Sequence, residues 1–229
     1  MIEAALDTSH GMALAIIEDG EVLASDYIKP QGRQNRETLT PWLKETFANC
    51  ELIPNRVARW TAGLGPGSFT GIRIGLGFIK GVCLQSAAQI RGIPTSYAIA
   101  RQSAADLKTG DQITVLNDAR RKEVITTIYR KEPKQLTCME QAFIPDSETL
   151  NKICQETTRL VTMQADQVGP NLPEIYRAKV VDLQEMGAEY FLDAPPELYQ
   201  IETVDDLSTQ ARPVYVRPAV HVKPKAMRK

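Results

Sequence analysis

Gly63-Leu64-Gly65-Pro66-Gly67-Ser68-Phe69-Thr70-Gly71-Ile72-Arg73-Ile74-Gly75-Leu76-Gly77-Phe78-Ile79-Lys80-Gly81 is the stretch on which the reading of this chain turns. Ser68 suits a helix N-cap, because its short side chain can accept from an N–H of the first turn. The glycines before it tolerate positive φ. Beyond it, Gly71, Gly75, Gly77 and Gly81 sit inside a helical pattern. Each costs about 1 kcal/mol of helix propensity against alanine. Close approach of another backbone is the usual compensation. At about 100° per residue the helix has two faces. Gly71, Ile74, Gly75, Phe78, Ile79 and Val82 share one, which is expected to join the chain's own core. Thr70, Arg73, Gly77, Lys80, Gly81 and Leu84 share the other, which is suited to a partner helix. Purely internal packing stays open as an alternative. So does a phosphate cradle at the helix start, although the Gly-x-x-x-x-Gly-Lys-Ser/Thr template is absent.

Working outward, residues 2–7 read as a buried strand and Asp7-Thr8-Ser9-His10-Gly11 as a tight turn. Met12 to Ile17 is a second strand, and Asp19-Gly20 marks a hairpin into a third strand, Val22 to Tyr27. Leu39, Trp42, Leu43, Phe47 and Cys50 fall on one face of a helix from about Arg36 to Cys50, with Pro41 expected in its first turn. Val57 to Thr61 is a short strand, and a further helix is expected around 98–107. Gln112 to Leu116, the turn Asn117-Asp118-Ala119-Arg120 and Glu123 to Tyr129 form a second hairpin. It echoes the first, with an Asp-bearing turn between two strands, and suggests an internal duplication. Residues 131–200 show no readable topology.

The 229 residues are enough for a sizeable core, and a net charge of −1 argues against a protein that holds RNA by itself. There is no run long enough to span a membrane and no signal-peptide pattern at Met1 to Asp7. Cys50, Cys83, Cys138 and Cys154 are scattered, as expected of reduced structural thiols in a cytoplasmic protein. Only His10 and His221 could serve as imidazole ligands, so no metal site is expected. The basic end, His221 to Lys229, reads as a solubilising tail or an RNA contact.

Gly65-Pro66-Gly67-Ser68-Phe69-Thr70-Gly71-Ile72-Arg73-Ile74-Gly75 resembles the signature of the TsaB (YeaZ) family, and Lys80-Gly81 resembles its continuation. Leu6-Asp7-Thr8-Ser9, Asp118-Ala119-Arg120 with Glu123-Val124, and Pro213-Val214-Tyr215-Val216-Arg217 match further family segments in order. The resemblance implies an α/β fold of the sugar kinase, actin and heat-shock ATPase type: two related halves, each a mixed sheet flanked by helices. Residues 1–100 with about 205–229 would form one half and 101–204 the other. It also implies a role without catalysis of its own. The chain would bind and stabilise the catalytic subunit TsaD and work with the small ATPase TsaE. The complex transfers threonylcarbamoyl to the adenosine 3′ of the anticodon in tRNAs reading codons that begin with A. The chain would touch tRNA only indirectly and could pair with itself when isolated.

Leu39, Leu43, Phe47, Thr70, Arg73, Gly77, Lys80 and Gly81 are the expected partner-binding residues. Asp7, Thr8, Ser9 and Asp118 sit where the superfamily places its phosphate hairpins, and are the candidate nucleotide contacts. The same residue types also serve as turn residues bonded to local backbone. The family's catalytic relatives hold a metal through paired histidines on the first helix. Gln31 to Leu39 contains none, with Asn35 in the place where many members carry one. Relatives often show a glycine-rich turn where this chain has Val161-Thr162-Met163-Gln164-Ala165-Asp166, which would crowd a nucleotide base. No cofactor is therefore expected on the chain itself, though ATP or ADP at a subunit junction is compatible. The alternatives are an active ATP-dependent phosphotransferase of the same superfamily and a self-associating scaffold.

Overall fold

The computed structural model describes residues 1–29 and 35–200, with backbone alone at 35–37. The basic tail, the Pro213–Arg217 match and the assignment of 205–229 to the first half lie outside the described residues, as do Gln31 to Gln34.

The chain opens with β1 (Ile2–Asp7), β2 (Met12–Glu18) and β3 (Glu21–Ile28), an antiparallel meander. Helix α1 (Asn35–Asn49), β4 (Arg59–Gly63), α2 (Phe69–Ser86), β5 (Gln89–Ile93) and α3 (Thr95–Gln102) follow. Strands β4 and β5 add in parallel to β1, giving the order β3-β2-β1-β4-β5. The second half repeats this plan. Strands β6 (Gln112–Asp118), β7 (Val124–Lys131) and β8 (Leu136–Phe143) form an antiparallel meander. Helix α4 (Ser147–Glu156) leads to β9 (Arg159–Thr162). The single turns α5 (Ala165–Val168) and α6 (Glu174–Arg177) then lead to β10 (Val180–Asp182). Strands β9 and β10 add in parallel to β6, so the order is β8-β7-β6-β9-β10. Both sheets therefore carry the same strands in the same sense, and the duplication suggested by the two hairpins extends over each whole sheet.

Side-chain size along β1 and β2 sets what packs on each face. Leu6, Leu14 and Ile16 join Leu43, Phe47, Trp60, Ile72 and Ile79 in the core beneath α1 and α2. Successive strand residues point to opposite faces, so Ala5, Ala13 and Ala15 face the other way. There they meet Ile93, Tyr97, Tyr129, Ala188 and Phe191 in a core shared by both halves. The alanines let the turn Ala188–Phe191 lie close against the first sheet. Arg91 crosses the same junction almost wholly buried. It donates to Thr61 Oγ1 (2.7 Å), Tyr199 Oη (2.8 Å) and the Leu192 carbonyl (3.1 Å).

Three expectations change. Pro41 lies inside α1 rather than in its first turn, on the exposed side, where water can satisfy the freed carbonyl. The helix expected around 98–107 runs from Thr95 to Gln102, because Pro94 caps its start. Strand β5 was not readable: Gln89-Ile90-Arg91-Gly92-Ile93 alternates poorly, since Arg91 is a buried tie between halves and not a solvent-facing residue.

Candidate interaction face and the cleft beside it

Helix α2 forms where the loop Gly65–Gly67 ends and Ser68 caps it, its Oγ accepting from Gly71 N at 3.1 Å. The two glycine pairs meet different surroundings. A Cβ on Gly71 would lie 1.9 Å from the Thr8 carbonyl oxygen, and one on Gly75 would lie 2.5 Å from Thr8 Oγ1. Thr8 Oγ1 donates to the Gly71 carbonyl at 2.8 Å, locking the first turn of the chain onto the helix. This is the close backbone approach that offsets the propensity cost. On the other side, a Cβ on Gly77 or Gly81 meets nothing within 4 Å among the described residues. Thr70, Arg73, Gly77, Gly81 and Leu84 are exposed and Lys80 is half-buried. Leu84, at 69% exposure, and Phe69, at 43%, give this face apolar surface as well. The Arg73 guanidinium lies 3.8 Å over the Phe69 ring, so Phe69 extends the face through its i+4 neighbour.

Leu39, Leu43 and Phe47 do not belong to this face. They are at most 2% exposed and form part of the core under α1. An i, i+4, i+8 apolar stripe is a helix's inward stripe, and its own sheet covers it. The positions of α1 that meet solvent include Thr40, Pro41, Lys44, Glu45 and Ala48.

The two Asp-bearing turns face each other across a cleft. Register makes them equivalent, since Asp7 pairs with Ala13 and Asp118 with Val124 at the ends of β1 and β6. Each Asp Oδ1 accepts from the backbone N–H two residues on, Ser9 and Arg120 respectively, both at 2.8 Å. A cavity of about 510 Å³ opens between the turns, lined by Ser9, His10, Gly67 to Thr70, Asp118, Arg120, Met163, Gln164 and Gln167. A smaller one of about 200 Å³ shares His10, Met163, Gln164 and Gln167, so these side chains form the partition. Buried His10 ties the halves together: its Nε2 lies 2.9 Å from the Pro66 carbonyl and 3.1 Å from the Asn117 side-chain nitrogen. Burial lowers the His10 pKa, against the opposing pull of the Asp7 charge and the Pro66 carbonyl.

The sequence resemblance implies a nucleotide between the two turns, and the polar groups found there are already engaged by the chain itself. Asp7 is buried, and its oxygens already accept from Ser9 N, Ser9 Oγ and Thr95 Oγ1. Thr8 is spent on Gly71. Asp118 holds Arg120 N and lies 3.3 Å from the Arg120 guanidinium. Gln164 Oε1 accepts from Asp118 N at 3.1 Å, and the Gln164 backbone N–H donates to Thr162 Oγ1 at 3.0 Å. The side chain is thus fixed as a partition where a glycine turn would leave room. Of the candidate nucleotide contacts, Ser9 and Asp118 line the cavity and Asp7 and Thr8 do not. Asp7, Ser9 and Asp118 make bonds within their own turns, and Thr8 bonds α2.

The two turns differ in their tips. The first is buried from Asp7 to His10. The second exposes Arg120, Arg121 and Lys122, with φ of 64°, 54° and 64°. Glu123 N donates to the Arg120 carbonyl at 3.1 Å, closing a tight turn with positive φ at both central residues, Arg121 and Lys122. Such turns favour Asn-Gly, and each ordinary residue held there costs about 1–2 kcal/mol. Composition alone could not flag this tip, because the strain appears only in the backbone angles.

A family model described as TsaD, tRNA N6-adenosine threonylcarbamoyltransferase, matches residues 22–179. The tRNA threonylcarbamoyladenosine biosynthesis protein TsaB of Haemophilus influenzae is 32% identical over 121 residues, 52% of this chain and 50% of the relative. Its Escherichia coli counterpart is 28% identical over 129 residues, 56% of this chain and 54% of the relative. The chain belongs to the TsaB (YeaZ) family. It spans about half the length of the curated TsaB relatives it matches. YeaZ from Pseudomonas aeruginosa superposes with a TM-score of 0.68 at 20% identity, covering 93% of this chain and 99% of that one. That likeness shows the fold: two mixed five-stranded sheets with helices, as in YeaZ. No helix among the described residues is long and apolar enough to cross a membrane.

Proposed function

We propose that this chain is a non-catalytic subunit in tRNA threonylcarbamoyladenosine synthesis, which binds and stabilises the catalytic subunit TsaD through the outer face of α2. The observation that carries the reading is the asymmetry of the four glycines. Gly71 and Gly75 are required by contact with Thr8, whereas Gly77 and Gly81 have no such neighbour among the described residues. Glycine lowers helix stability wherever it stands, and a partner backbone lying across Gly77 and Gly81 supplies the reason for tolerating it there. Thr70, Arg73 and Lys80 border that groove, with Leu84 adding apolar area at its far end. The crowded cleft, with its acidic groups already engaged, favours an accessory role over phosphotransfer. TsaE and tRNA belong to the same complex in this reading.

The test is Gly77→Leu, assayed by co-purification with TsaD. The leucine projects into open space in the free chain, so the variant stays folded and monodisperse, while its recovery with TsaD falls to background. Recovery at the normal yield would remove the interface assignment.

A further inference from the structure

In the exposed turn Arg120-Arg121-Lys122 the chain's own bonds engage Arg120, through Asp118 and Glu123, and leave the side chains of Arg121 and Lys122 to solvent. Arg120 is held at the cavity rim by the Asp118 carboxylate, yet its side chain is 83% exposed. Among the described residues, Arg121 and Lys122 make no ion pair. The two acids that flank the turn are drawn inward: the Asp118 side chain is 8% exposed and Glu123 Oε2 is buried. What solvent meets at this tip is therefore cationic, although the chain as a whole carries a net charge of −1.

The backbone makes the placement costly. Two central residues with positive φ would be met without strain by Asn-Gly, and the chain has Arg-Lys instead. Strain of this kind persists where a function holds it. The equivalent turn of the first half, which is buried, uses Gly11 and carries no cation between Thr8 and Met12. The duplication thus supplied a turn framework, and the exposed copy bears the Arg and Lys side chains that the buried one lacks. Guanidinium groups present a planar fork of donors that matches phosphate oxygens. Across the cavity from Arg120 stand Gly67 to Thr70, the head of the helix whose outer face is the candidate partner site.

We propose that the Arg120–Lys122 turn is a direct contact to the phosphate backbone of RNA, here the tRNA on which the complex acts. The identity of the RNA rests on the function proposed above; the contact itself rests on the turn. It is one small contribution to binding, consistent with a chain too neutral to hold RNA alone.

The test is the double variant Arg121→Asn, Lys122→Gly in the full chain, which installs the residues the turn prefers. Unfolding is therefore not a confounding outcome, and the melting temperature is expected to rise. The probe is an unmodified transcript of a tRNA reading a codon that begins with A. Binding is measured across a salt series with the chain alone and with the chain in complex with TsaD. Losing two phosphate contacts is expected to weaken binding about tenfold near 0.1 M salt and to reduce the slope of log affinity against log salt by about 2. Co-purification with TsaD should be unchanged, which separates this contact from the helical interface. Unchanged affinity and slope would overturn the proposal. Loss of TsaD association would overturn it too, by making the turn a protein contact. So would absence of tRNA binding by both wild-type chain and complex, or displacement of the tRNA from the wild-type chain by millimolar ADP.

Discussion

Alanine at each of the four glycines of α2 separates internal packing from an open face. At Gly77 and Gly81 the new methyl meets nothing within 4 Å among the described residues, so only helix propensity changes. Each substitution should stabilise the isolated chain by about 0.8–1 kcal/mol, or roughly 2–4 °C for a chain of this length. At Gly71 the Cβ would sit 1.9 Å from the Thr8 carbonyl oxygen. An ordinary C···O contact is about 3.3 Å, so helix and turn must separate by roughly 1.4 Å. That movement strains the hydrogen bond from Thr8 Oγ1 to the Gly71 carbonyl. Overpacking costs about 1–3 kcal/mol and the weakened bond about 1. Set against the propensity gain, the net loss is about 1–3 kcal/mol. Gly75→Ala should fall between, since the clash is with the movable Thr8 hydroxyl. Urea denaturation at low micromolar chain concentration, where self-association contributes least, reads the midpoints directly. If Gly77→Ala or Gly81→Ala lowers the midpoint at constant slope, or if Gly71→Ala leaves it unmoved, the two-faced description of α2 is wrong.

Two further outcomes follow from single buried groups. Burial holds the His10 pKa below its ordinary value of 6.5, so the unfolded chain binds the proton more readily. The stability this contributes is present above pH 6.5 and is lost as pH falls below it toward the folded value. His10→Gln should flatten the fall in unfolding free energy just below about pH 6.5, where one proton gives a slope of at most about 1.4 kcal/mol per pH unit. An unchanged slope in chemical denaturation at those pH values would contradict it. Thr127 is 2% exposed and its Oγ1 has no hydrogen-bond partner among the described residues. Thr127→Val keeps the shape and removes the buried hydroxyl, so it should stabilise the chain by about 1 kcal/mol, read as a higher denaturation midpoint.

Much of the site was legible because periodicity carries it. The wheel placed Gly71 and Gly75 inward and Gly77 and Gly81 outward, and their surroundings divide the same way. The first three strands and the hairpin at Asp118 followed from apolar runs and turn residues. Periodicity cannot say which apolar stripe a chain keeps for itself, and on that point Leu39, Leu43 and Phe47 were misread. Nor could it draw residues 131–200. There β9 and β10 are four and three residues long, and α5 and α6 are single turns of four residues each. Elements that short are set by the sheet they join and not by their own pattern.

The sequence by itself determined the two-faced glycine helix and the pair of Asp-bearing hairpins, because both are local patterns of spacing and turn chemistry. Tertiary structure alone decided what those patterns meet: Thr8 beneath Gly71 and Gly75, open space beside Gly77 and Gly81, and Gln164 across the cleft at Asp118. It also decided that Arg121 and Lys122 stand at a strained, exposed tip. These facts depend on contacts between residues far apart in the chain and on backbone angles fixed by the sheets, neither of which is written in local spacing.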